Sequence, residues 1–180
     1  MKYHSVWNVR HWRKDEKGIY RLIWGETAVD RNILHDTGEI AILSAFFATA
    51  MANYGAPPAN LYLGLDARAA LAEADTLATL SEIALAGYAR IACISGGTGV
   101  GGQDFNINQP AAYYRADSKV VEWTAGQNWT ILRNIFLCTD SVAVIDAASK
   151  HLVCSLALSA PRTLLNGDKL DGSMYIGLSE

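Results

Sequence analysis

The segment that most tightly limits the fold lies near the C-terminal end. In "KLDGSMYIGL" (169–178), Leu170, Met174, Ile176 and Leu178 alternate with Asp171, Ser173 and Tyr175. A period of two puts one row of side chains on an apolar face and the other toward water, as in an antiparallel sheet covered on one side. Leu152, Cys154, Leu156 and Leu158 repeat the pattern. "NLYLGL" (60–65), "YARIACIS", "KVVEWTA" and "WTILRNIFLCT" also read as strands, and "LLNGDK" (164–169) is a turn signal. Short strands joined by turns, without regular intervening helices, favour a β-sandwich over a βαβ sheet.

The N-terminal segment reads as a hairpin. In "YHSVWNVRHWRK", Trp7, Val9 and His11 share one face of a strand, while Val6, Asn8, Arg10 and Trp12 share the other. "DEKG" (15–18) is a turn, and "IYRLIW" (19–24) returns as the partner strand. In "HDTGEIAILSAFFATAMANYGAPP", Asp36 and Glu39 have capping-box spacing, and Ile40, Leu43, Phe47, Ala50 and Tyr54 recur at helical spacing. The pattern predicts a long apolar helix over 37–54, with Phe46 on a second apolar stripe suited to self-association. "ADTLATLSE" (74–82) is a short helix or a covering loop. The expected organisation is an N-terminal hairpin or arm (1–35) and a mainly β domain (36–180), an antiparallel sandwich that includes the helix.

With 180 residues, 51% hydrophobic and 18% charged, the chain can bury one good core. Its net charge of −3 is uneven: the first 24 residues hold six of the 15 Lys and Arg against two acidic residues. A basic segment on an otherwise acidic chain suits docking on an acidic surface, and the acidic remainder disfavours general nucleic-acid binding. Cys93, Cys138 and Cys154 are widely spaced in apolar runs and read as buried thiols in a reducing cytoplasm. Lys2, His4 and Arg10 interrupt any signal-peptide core, and no apolar run is long enough to span a bilayer. A soluble intracellular product without membrane partners is expected.

The catalytic motifs are weak. Gly97-Thr98-Gly99-Val100-Gly101-Gly102 spells G-x-G-x-x-G after a strand, but "QDFNINQPAAYY" follows where the phosphate-binding helix should begin. It predicts a mobile connection between strands and no nucleotide. The four histidines lack metal-ligand spacing, and no hydrolase elbow occurs, so no cofactor and no enzyme activity are expected. Trp7 and Trp12 sit among Arg10 and Arg13, the composition of protein-interface anchors. Trp123 and Trp129 flank "TAGQN" and read as hairpin packing, with a sugar-stacking face as the alternative.

Several pieces in order resemble small structural proteins of tailed bacteriophage particles. These are "NLYLGL", "DTLATLSEIALAGYAR", a Gly/Asn-rich loop, "NWTILRNIFLCT", "HLVCSLAL" and "APRTLLNGDKLDGSMYIGL". The matching positions are Glu82, Gly87, Tyr88, Ala89, Arg90, Trp129, Phe136, Gly167, Asp168 and Leu170, spanning 60–180. The resemblance implies a β-sandwich, no catalytic residue and a place in the virion after synthesis in the host cytoplasm. The leading role it implies is a capsid decoration (cement) protein bound to the major capsid protein or other virion subunits, as a homo-oligomer. A tail or head-fibre adaptor is the alternative, and a carbohydrate-binding host-recognition module is one of another class. Glu82 and Arg90 are expected to pair at the sandwich edge.

Overall fold

A computed structural model describes residues 2–31, 33–39, 42, 60–94, 104–108, 114–141 and 150–179. These form two antiparallel sheets. One runs in the order β2 (Tyr20–Val29), β1 (Lys2–Lys14), β11 (Lys169–Ser179), β7 (Tyr114–Ser118) and β6 (Phe105–Asn108). In it β8 (Val121–Thr124) lies beside the Lys169–Gly172 half of β11, while β7 takes the other half. The second sheet runs β3 (Ile33–Leu34), β10 (Leu152–Leu164), β9 (Trp129–Cys138), β4 (Asn60–Asp66) and β5 (Ile91–Ile94).

The alternation in the sequence is the alternation of these faces. Trp7, Val9 and His11 pair with Met174, Gly172 and Leu170, and all turn inward. Leu63, Leu65, Ile135, Leu137, Cys154 and Leu156 meet them from the second sheet in one apolar cluster. The sheets approach closely at Gly172, where a Cβ would lie 2.9 Å from Cδ1 of Ile135. Trp7 and Trp129 are fully buried. At about 25 cal/mol per Å², each contributes several kcal/mol of hydrophobic stabilisation before entropy is counted.

A third layer covers the outer face of the second sheet. Leu77 and Leu80 pack on Phe136, Cys138 and Leu152, and the intervening 3₁₀ turn (Leu77–Thr79) is the whole helical content of 74–82. This segment is therefore a covering loop. Asp66 ties it down, accepting from the Arg68 and Ser81 amides and from Nδ2 of Asn134. Asp75 accepts from Nη1 of Arg68, the Ala72 amide and Oγ1 of Thr79.

One expectation changes, and another lies mostly outside the described residues. The N-terminal hairpin is present, but it does not stand off as an arm. β1 lies inside its sheet, paired to β2 on one side and along its length to β11 on the other. The long apolar helix is not among the described elements: residues 36–39 and Ile42 are helical, and most of 37–54 lies outside the described residues. The turn at 36–39 sits hard against β10, with no room for a Cβ at Gly38 beside the Val153 carbonyl. Two short strands, β6 and β7, which the sequence reading did not name, form in and just after the segment whose Asn and Pro argued against a helix. Among the described residues no helix is long and apolar enough to cross a membrane.

Candidate interaction face

The β1–β2 hairpin carries most of the residues singled out for docking, and the structure divides them between its two faces. Trp7 is fully buried, so it is a core residue and is not offered to a partner. Burial follows from β1 being central in its sheet, which turns Trp7 toward the second sheet. Arg10 and Trp12 lie on the outer face, where both hold Asp171. Nε of Arg10 donates to Oδ1 at 2.8 Å, and Nε1 of Trp12 donates to Oδ2 at 2.8 Å. The Arg10 guanidinium also lies 5.5 Å from the centre of the Trp12 ring, within cation–π range. Phe46 lies outside the described residues.

Arg13 turns the other way, to the rim of the core. It clamps Asp168 with Nε at 3.0 Å from each carboxylate oxygen and Nη2 at 2.7 Å from Oδ2. Nε2 of the buried His11 and the Leu165 amide add bonds of 2.9 Å to Oδ2. Burial alone would raise the Asp168 pKa; the bonds from Arg13, Leu165 and His11 overcome it and hold the carboxyl below its ordinary value. The same pairing raises the Arg13 pKa. The basic charge read from the sequence is thus partly engaged within the fold, because Asp168 and Asp171 neutralise Arg13 and Arg10.

What remains open on this face is an apolar edge. Of the large hydrophobic side chains that are exposed, Ile19, Leu22, Ile23 and Val29 belong to β2 or the turn before it. β2 ends its sheet, so one side of its backbone has no hydrogen-bonded strand among the described residues. A shallow cleft of about 410 Å³ runs beside it, lined by Asn8, Arg10, Leu22, Gly25, Thr27 and Ser173 among others. Gly25 creates this space by having no side chain on the outer face. Sequence reading missed Gly25, Thr27 and Val29; a lone glycine inside an alternating strand was the available signal.

The residues carried by the resemblance are structural. Glu82 accepts from Nε of Arg90 at 3.0 Å, from its Nη2, and from the Tyr88 hydroxyl at 2.7 Å. The expected Glu82–Arg90 pair therefore forms, and Nη1 of Arg90 reaches the Asp140 carbonyl. Tyr88 meets Trp129 edge-on, with ring centres 6.1 Å apart. Nε1 of Trp129 donates to the Ala86 carbonyl, and Nε1 of Trp123 to that of Ala89. Gly87 has φ of +86° and abuts Gly126, and Gly167, with φ of +84°, forms the turn before Asp168. Both Trp123 and Trp129 are buried, which removes the sugar-stacking face drawn from them.

Other reactive groups are sealed in. Nδ1 of His35 donates to the Glu73 carbonyl, and Nε2 faces Oγ of Ser155 at 2.8 Å. This is a histidine–serine pair, but both residues are buried and Ser155 has no surface for a substrate to reach. The three cysteines form no disulfide and are buried, and burial pushes the thiols of Cys93 and Cys138 up to about 11. Among the described residues no group of three or more His, Cys, Asp or Glu could hold a metal ion. The Gly97–Gly102 stretch lies outside the described residues.

The fold and this face define a two-sheet antiparallel β protein with an open apolar edge. Comparison with models of known families, with characterised proteins and with solved structures finds no match to the chain.

Proposed function

We propose that the chain is a non-enzymatic structural protein of a tailed-phage virion, a capsid decoration (cement) protein that binds the assembled head. The observation that carries the reading is the hairpin. Exposed Ile19, Leu22 and Ile23 stand beside Lys14, Lys17 and Arg21 at one end of the sandwich. Apolar side chains rimmed by cations suit an acidic protein surface, such as that of a neighbouring capsid subunit. Gly167 and Asp168 brace this end, through the Tyr20 hydroxyl on the Gly167 carbonyl and the Arg13 clamp on Asp168. Binding only the assembled shell stabilises it by mass action, and many weak copies act together.

The test is to compare purified heads with and without the protein. Decoration predicts many copies per head and a lower temperature of DNA release when the protein is missing. Copies confined to tails would support the adaptor reading instead. Equal heat resistance of heads with and without the protein would remove the cement role.

A further inference from the structure

We propose that the free edge of β2 pairs with β2 of a second copy about a two-fold axis through Thr27, joining the two β1-containing sheets into one. The proposal does not depend on the decoration role, since it uses only the Trp24–Val29 half of the strand.

The backbone is set for such pairing. Asp30 N donates to Ser5 O at 2.8 Å, and the β1–β2 register continues through Trp7 opposite Ala28 and Val9 opposite Glu26. Hydrogen-bonded pairs alternate along an antiparallel ladder. Trp24, Glu26 and Ala28 therefore bond to β1, and the N–H and C=O groups of Gly25, Thr27 and Val29 point to the open edge. Gly25 is exposed, as are the side chains of Thr27 and Val29, and Val29 retains 58% of its surface.

The edge carries few of the usual guards. Natural sheets protect a free strand with lysine, proline, a bulge or an inward-pointing charge. The only register shift in the β1–β2 ladder, between His11 and Trp12, lies beyond Trp24 and leaves Trp24–Val29 regular. That stretch has no lysine or proline. Its one charge, Glu26, is such an inward-pointing guard, but it is satisfied within the chain, where it pairs with Arg31 and accepts from the Ser159 amide, and it leaves the outer face of the edge uncharged.

Side chains select both the occupant and the register. An axis through Thr27 sets each Val29 opposite Gly25 of the second copy, so that an exposed apolar side chain enters the cleft that Gly25 leaves empty. The same axis places Thr27 against Thr27 and Glu26 against Ala28. An axis through Glu26 would oppose two carboxylates, and one through Ala28 would set Glu26 against Asp30. An axis through Gly25 would leave the cleft unfilled. Like charges directly opposite are unfavourable, whereas Thr–Thr pairs are favourable. A closed two-fold contact also removes both edges at once.

Sedimentation velocity of the full chain over a concentration series reads the association. The expected result is a reversible dimer, with Val29→Lys and Gly25→Ala each raising its dissociation constant about tenfold or more. Gly25→Ala guards against misfolding as the explanation. Its Cβ would meet Arg10 Cγ at 3.6 Å and Val9 O at 3.8 Å, ordinary contacts within one chain, so its melting as a diluted monomer should match the parent. Thr27→Cys supplies the geometric arm. Hydrogen-bonded pairs set Cα atoms about 5.5 Å apart, within disulfide range. Mild oxidation should cross-link it far faster than Glu16→Cys in the exposed hairpin turn. A chain monomeric at every concentration, a dimer indifferent to both Val29→Lys and Gly25→Ala, or no preferential cross-link at Thr27→Cys would each overturn the proposal.

Discussion

Arg90 shows how a single charge is made tolerable inside this fold. Its side chain is 1% exposed, lies 5.4 Å from the centre of the Phe136 ring, and is balanced by Glu82. Removing one partner of a buried pair leaves the other uncompensated, which typically costs about 3–5 kcal/mol. Glu82→Ala should therefore lower unfolding free energy by about that amount in urea titration. Glu82→Gln should cost less, because it can still accept from Tyr88. The reversed pair, Glu82→Arg with Arg90→Glu, should recover only part of the loss, since the Asp140 carbonyl and the Tyr88 hydroxyl both favour the native order. Full recovery would mean that pairing alone matters at this site. At Gly87 the limit is steric. A Cβ there would lie 2.6 Å from both the Gly126 amide nitrogen and the Thr124 carbonyl, whereas at Gly18, also at positive φ, it would touch nothing. Gly18→Ala should cost about 1 kcal/mol, the left-handed backbone penalty, and Gly87→Ala clearly more. Equal urea midpoints for the two would show that the 85–90 segment yields easily.

At the scale of elements, the covering loop over the second sheet is held chiefly by carboxylates. Asp75 ties its two ends together, and the bonds from Arg68, Ala72 and Thr79 outweigh burial to bring its pKa to about 2. Asp75→Ala should open the loop locally. Amide exchange at Ala72 and Thr79 should accelerate strongly, while β9 and β10 amides keep their protection. Loss of protection throughout would mean that the loop unfolds only with the whole molecule. Strands with a period-two pattern could be read directly: the inward row of β11 and both faces of β1 fall where their alternation places them. Turn chemistry located the hairpin at 15–18 and the turn at 165–168. What could not be read is pairing between distant segments. Nothing local in "YHSVWNVRHW" tells that β11, more than 150 residues on, completes its ladder. That pairing is why Trp7 is core, and why Arg10 and Arg13 meet Asp171 and Asp168. The Glu82–Arg90 pair was legible because both residues lie in one short segment. The Gly25 cleft emerges only once the outer face of the hairpin is known.

For the molecule as a whole, buried histidines dominate the response to mild acid. Burial lowers the pKa of His35 and His151 below the ordinary value of 6.5; for His35 it outweighs the Glu73 and Ala72 carbonyls and the nearby Asp75 and Asp36, which favour the charged form. Above that value both histidines are neutral, folded or unfolded, so they add no slope. As pH falls through about 6.5 the unfolded chain takes up protons first, and stability falls until the lower folded-state values are reached. Each histidine contributes at most about 1.4 kcal/mol per pH unit over that window. Carboxylates act lower: Asp75 and Asp168, both depressed, lose their stabilisation as pH drops below about 3.8. Asp66 opposes them. Burial raises its pKa, so its charge costs stability at neutral pH and protonation on acidification relieves the cost. Melting temperature should thus be level from about pH 8 to 7 and decline from about pH 6.5, well before Asp75 and Asp168 titrate. His35→Gln should flatten the early decline while lowering stability at neutral pH, because the bonds to Ser155 and the Glu73 carbonyl are weakened. A decline that begins only near pH 4, or an early slope unchanged in both His35→Gln and His151→Gln, would assign acid sensitivity to the carboxylates alone.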